Sequence, residues 1–250
     1  MPVTYVDLDT AKSADGLRMV VVGGVPSAWG EAAKGIFHIK GIDWLAVRLD
    51  QSDNDMAAWT GRRDGPVAMY KDERPRAGWP EILFLAERLA PEPALMPADP
   101  AKRALMFGLS HEIFGEGGIA WTRRLEGVHA GLQDAGGFPA PVAAYLAAKY
   151  GYTPELGETT RARLHSLFDL FTAQLAGQDY LIDNTFTAAD IYLATCMAFF
   201  SPLPNELCEM NPAIRAAFET TDSDTIEKAA ALFAHRDRMY ERHLETPLSL

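Results

Sequence analysis

The sequence predicts an α/β domain followed by an all-helical domain, an α/β plus all-α chain. Three observations carry this reading. Two short β-branched runs flank a helical stretch near the start, prolines cluster at 91–100, and everything beyond repeats its apolar residues at helical spacing. A length of 250 residues suits one large domain or two small ones.

Residues 1–16 are polar and without clear period, and read as an N-terminal extension. Leu17 to Val22 is a β-branched run closed by Gly23-Gly24, the pattern of a buried strand. From Ser27 to about Lys40 the residues Trp29, Ala33, Ile36 and Phe37 recur at helical spacing, and Gly41 ends the helix. Asp43 to Leu49 supplies a second strand. Strand, helix and strand in that order make a parallel pair with a right-handed crossover. Residues 50–64 are polar and poorly periodic. Gly65-Pro66 leads a third short strand ending at Tyr70, and Pro80 to Leu89 forms a helix with Pro80 in its first turn. Residues 17–90 thus form the α/β domain.

Pro91, Pro93, Pro97 and Pro100 cannot lie inside a helix, so 91–100 reads as the linker and 101–250 as the helical domain. Within it, Leu164, Leu167, Phe168, Phe171 and Leu175 form one apolar stripe. The sharpest local pattern is Thr187-Ala-Ala-Asp190. It predicts a capping box, with Asp190 buried and structural and Phe186 and Ile191 placed as a hydrophobic staple.

Composition narrows the partners. Hydrophobic residues are 48% and charged ones 23%, ordinary globular usage, and the net charge of −11 argues against nucleic acid or an anionic membrane. The two cysteines, Cys196 and Cys208, lack zinc spacing and read as inert buried thiols. His111-Glu112 begins like a zinc motif but has no second histidine, so no metal is expected. Gly23-Gly24 lacks the spacing of a dinucleotide fingerprint. Without a secretory signal or a long apolar run, a cytoplasmic setting is the expectation.

The order of these parts, with the phrase Leu175-Ala-Gly-Gln-Asp-Tyr-Leu-Ile-Asp-Asn-Thr-Phe-Thr-Ala-Ala-Asp190, resembles the cytosolic glutathione S-transferase superfamily, in its serine-type, bacterial-like form, over about residues 17–245. The resemblance implies a thioredoxin-like domain at 17–90 that binds glutathione as co-substrate. It also implies a helical domain that forms a pocket for a hydrophobic electrophile. Residues 17–90 contain no cysteine, so the reactive sulfur must come from the ligand. By position, Ser27 matches the family's thiolate-stabilising hydroxyl, although serine is also a good helix cap. Tyr5 would replace it only if the extension folds in. Gly65, Pro66 and Val67 match the stretch whose cis-proline lets the preceding backbone pair with glutathione.

One departure stands out. Where the family has Glu-Ser or Gln-Ser, this chain reads Ala77-Gly78-Trp79-Pro80-Glu81, leaving the amides near Gly78 and Trp79 to hold a carboxylate. The matching second-substrate positions are Trp29, Phe107, His111, Phe114 and Trp121. Glu112, Glu116, Arg123 and Arg124 read as solvated or dimer-facing ion pairs. The implied function is activation of the glutathione thiol for attack on, or exchange with, a hydrophobic electrophile, in a homodimer. The alternative is a non-catalytic binding or scaffold protein that kept the fold.

Overall fold

The computed structural model describes residues 3–250. Its N-terminal part holds the four-stranded sheet. Strand β1 (Thr4–Tyr5) and helix α1 (Leu8–Ser13) come first, then β2 (Leu17–Val21), α2 (Ala28–Ile39), β3 (Trp44–Arg48), α3 (Asn54–Thr60), β4 (Val67–Tyr70) and α4 (Trp79–Leu89). The sheet order is β1-β3-β2-β4, with β1 and β2 parallel to β3 and β4 antiparallel to β2. Side chains alternate along β2 as a pleated strand requires. Met19 and Val21 join the main core, while Val20 joins a smaller cluster with Val47, Met56 and Val67 on the opposite face.

The extension expected at 1–16 is corrected from Thr4 onward; residues 1–2 lie outside the described residues. Thr4 and Tyr5 pair with Leu45 and Ala46 at the sheet edge, and Asp7 caps α1 by accepting from the Thr10 amide at 2.7 Å. A two-residue strand carries no readable period, which is why composition hid it. Likewise α3 occupies part of the polar stretch 50–64, started by Asp53, whose carboxylate accepts from the amides of Asp55 and Met56. Its buried face is little more than Met56.

Eight helices follow: α5 (Pro100–Phe114), α6 (Ile119–Leu132), α7 (Ala140–Tyr150), α8 (Pro154–Gln174), α9 (Ala188–Cys196), α10 (Pro212–Phe218), α11 (Ser223–Lys228) and α12 (Ala230–Arg242). Every residue of α9 is buried, and it packs against α2, α5 and α12. Asp190 anchors its start. Fully buried, its carboxylate accepts from the amides of Leu181 (2.8 Å) and Thr187 (2.9 Å), from the Thr187 hydroxyl (3.1 Å), and faces His235 Nε2 at 3.1 Å. A buried carboxylate is tolerable only when its lone pairs are met this way.

Two lysines tie α2 into place. Lys40 Nζ bonds Glu87 (2.9 Å) and the carbonyls of Ala90 (2.7 Å) and Pro93 (2.9 Å), clamping the end of α2 to the proline-rich segment. Lys34 pairs with Glu31 at 2.7 Å and donates to the Ser249 carbonyl at 2.7 Å. Tyr5 also donates to that carbonyl, at 3.1 Å, with the Arg48 guanidinium 4.4 Å from its ring. No helix among the described residues is long and apolar enough to cross a membrane.

Candidate functional site

A cleft of about 370 Å³ lies between the two parts of the chain, within the lower range of ligand cavities, roughly 300–1,000 Å³. Helix α2 forms its floor with Trp29, Ala32, Ala33 and Ile36, positions that share one helical face. The two alanines keep that floor low. Gly65 and Pro66 and the start of α4, Gly78 and Trp79, form one wall; the helical part contributes Phe114, Trp121, Tyr150 and Tyr192. The Gly65–Pro66 peptide is cis. Gly65 approaches β2 so closely that an added Cβ would meet the Val20 carbonyl oxygen at 3.1 Å.

The rings hold one another. Trp29 lies 5.3 Å from Phe114, which lies 5.1 Å from Tyr192, which meets Trp79 at 5.4 Å in an edge contact. Trp121 packs edge-on to Tyr150 at 4.6 Å and donates its indole N–H to the Tyr150 carbonyl at 3.2 Å. Such contacts fix ring orientation as well as contributing area.

Charge enters at the rim. Arg62 holds Asp64 through Nε (2.6 Å) and Nη2 (3.1 Å), and Lys149 reaches the same carboxylate from α7 at 3.0 Å. The Arg62 hydrogen bond, then Lys149, pulls the Asp64 carboxyl down to about 2, against the opposing effect of its partial burial.

Ser27 precedes α2 as its N-cap, and its carbonyl accepts from the Glu31 amide at 2.7 Å. The residue is 7% exposed, and its side chain makes no hydrogen bond to the helix amides. The hydroxyl lies over the first turn, beside Gly30, and Ser27 is not among the residues that line the cleft. Tyr5 is farther removed, its hydroxyl engaged by Ser249. Val67 points to the opposite face of the sheet, in the smaller core cluster.

Of the second-substrate positions, Trp29, Phe114 and Trp121 come together in the cleft, and Phe107 and His111 do not line it. Phe107 sits two turns, about 10 Å, below Phe114 on α5, where it stacks on Phe84 at 5.6 Å and packs beside Trp79 at 6.1 Å. His111 is exposed. The expected set of ion pairs is dispersed: Glu112 pairs with Arg163, Arg123 with Glu126, and Arg124 is drawn inward over Phe199. Burial raises both thiols, Cys208 to about 11, which leaves them poor nucleophiles.

Sequence reasoning missed Arg62, Asp64, Lys149, Tyr150 and Tyr192. No local pattern marks them, because three distant segments supply them. It also missed the use of Glu81. Its Oε2 accepts from the amides of Gly78 (3.2 Å) and Ala77 (3.3 Å), and Arg74 binds its Oε1 at 2.7 Å. Of the two amides expected to hold a ligand carboxylate, that of Gly78 is therefore engaged by the chain's own acid. Among the described residues there is no group of side chains suited to hold a metal ion.

Residues 139–242 match the family model of the glutathione S-transferase C-terminal domain. Over these residues the chain is similar to that domain. Solved structures share the architecture across nearly the whole chain. Beta-etherase LigF from Sphingobium sp. strain SYK-6 is 20% identical, with a TM-score of 0.63 covering 91% of this chain and 96% of that one. A glutathione S-transferase from Methylobacterium radiotolerans JCM 2831, in complex with glutathione sulfonate, is 16% identical with a TM-score of 0.64, covering 90% and 91%. One from Methylobacillus flagellatus KT, with glutathione bound, is 15% identical with a TM-score of 0.60, covering 90% and 95%. At these identities the likeness is one of fold. No curated protein sequence matches this chain significantly.

Proposed function

We propose that this chain binds glutathione at the α2–β4 side of the cleft and activates its thiol toward a hydrophobic electrophile held by the helical part. The supporting observation is the cleft itself: Gly65 and Pro66, joined by a cis peptide, and Trp29 in the first turn of α2 line a cavity that the helical part completes with Phe114, Trp121, Tyr150 and Tyr192. Structures of the same fold with glutathione or glutathione sulfonate bound support the ligand.

In this reading the backbone at Gly65 pairs with the cysteinyl part of the tripeptide, which brings the sulfur toward the start of α2. Ser27 then donates to the thiolate. Its hydroxyl is engaged by no helix amide, so it is free to do so after a rotamer change. The free amides and positive end of α2 act in the same sense. Lowering a thiol from about 8.5 by about two units needs roughly 2.7 kcal/mol of preferential anion stabilisation. One charge-assisted hydrogen bond with a helix terminus is of that order.

The reading includes a serine-type mechanism, a cytoplasmic setting and a homodimer. Phe84 and Leu105, each 45% exposed on α4 and α5, support the dimer. A competing reading, a binding protein without thiolate activation, draws on Glu81, which occupies the Ala77 and Gly78 amides.

Retention on immobilised glutathione, followed by absorbance titration of the bound thiol, tests the proposal. Retention with a thiol pKa well below 8.5 is expected for the enzyme; retention with an ordinary thiol pKa selects the binding protein, and no retention defeats both.

A further inference from the structure

Three charged side chains line the cleft, Arg62, Asp64 and Lys149. One carboxylate serves both cations, at 2.6 Å from Arg62 Nε and 3.0 Å from Lys149 Nζ. A positive charge is thus left over at the rim of a chain whose net charge is −11. Glu81 also acts on Arg62 through space, but it is matched by Arg74 and by the Ala77 and Gly78 amides.

A further cation stands behind the rings. The Arg124 guanidinium lies 4.3 Å over Phe199, which meets Trp29 at 5.8 Å. Its charge also acts on Tyr150, a wall residue. Its Nε is buried with no partner, and among the described residues it forms no ion pair. A guanidinium stays charged at any physiological pH, so its field persists inside the wall.

We propose that the second ligand of this cleft is an aromatic carboxylate, its ring against Trp29 and Trp79 and its carboxylate on Lys149 and Arg62. The inference rests on the cleft being the ligand site. Six aromatic side chains line it, so a flat ring finds offset or edge contacts on several sides. The carboxylate takes up the leftover charge, sharing Lys149 and Arg62 with Asp64. A neutral ester of the same ring keeps the ring contacts and forgoes that pairing.

Quenching of the cleft tryptophans reads binding on the intact protein, with 1-naphthoate and methyl 1-naphthoate as probes, each without and with saturating glutathione. Naphthoate is expected to bind about tenfold more tightly than its ester, the factor that about 1.4 kcal/mol of charge-assisted bonding supplies. Lys149→Gln and Arg62→Gln should each remove most of that preference and leave ester affinity unchanged. Equal affinities in the wild-type chain, or a preference untouched in both variants, overturn the proposal. Displacement of naphthoate by glutathione overturns it too, because the cations would then belong to the tripeptide. Binding of glutathione alone is followed separately by calorimetry, so failure of the glutathione reading leaves the naphthoate comparison standing.

Discussion

Glu81 closes the start of its own helix over Gly78, accepting the Gly78 amide at 3.2 Å while Arg74 holds its other oxygen at 2.7 Å. Arg74 and these bonds also hold the Glu81 carboxyl below its ordinary range. Any ligand carboxylate that seeks these amides must displace an anion already there. Glu81→Gln weakens that competitor. Calorimetry should find glutathione binding several-fold tighter in the variant, at a stability cost of about 1 kcal/mol or less. Unchanged affinity would mean that the tripeptide never uses this helix start.

Ser27 separates capping from chemistry. A side-chain cap usually contributes about 1 kcal/mol, yet this hydroxyl bonds no helix amide. Ser27→Ala should therefore cost under about 0.5 kcal/mol in denaturant titrations while lowering turnover on the order of 100-fold, the scale of one lost oxyanion donor. A large stability loss with intact turnover would reverse that assignment.

Asp64 makes a pH prediction with a definite sign. Its folded carboxyl is depressed from the ordinary 3.8 to about 2 by Arg62 and Lys149. The stabilisation is therefore complete above about pH 4 and disappears as pH falls toward 2. The pair is partly exposed, so solvent screening limits it to about 1 kcal/mol or less. Asp64→Asn should lower stability by that amount at neutral pH and by nothing near pH 2, read by urea unfolding at each pH.

Asp190, fully buried, accepts three hydrogen bonds and faces His235. Asp190→Ala leaves buried N–H groups unpaired beside His235. A loss of about 3–5 kcal/mol is expected, visible as a shifted denaturant midpoint. A loss below about 1 kcal/mol would show that the network relaxes onto other acceptors.

The exposed ring of Phe84 stacks on Phe107, with the Arg103 guanidinium 5.5 Å from it. Light scattering should return about twice the 27.4 kDa chain mass for the wild type, and the single-chain mass for Phe84→Asp.

Elements with a long period were legible. The strand at Leu17, the helix opening at Ser27 and the box at Thr187–Asp190 announce themselves through runs and spacing that physical chemistry fixes locally. What escaped was short or assembled from afar. Strand β1 is two residues long, and α3 buries few side chains, so neither writes a pattern. The aromatic lining was partly visible at Trp29, Phe114 and Trp121, but spacing along α5 could not tell that Phe107 packs outside the cleft. The rim charges required α7 to swing Lys149 over Asp64, a register set only by tertiary packing.

The low floor made by Ala32 and Ala33 has a consequence of its own. Depth here depends on two methyl groups, whereas the charges sit on other segments altogether. Bulkier residues at those two positions would shrink the guest that fits without altering its polarity, so size and ionic character of the bound molecule can be tuned as independent dials.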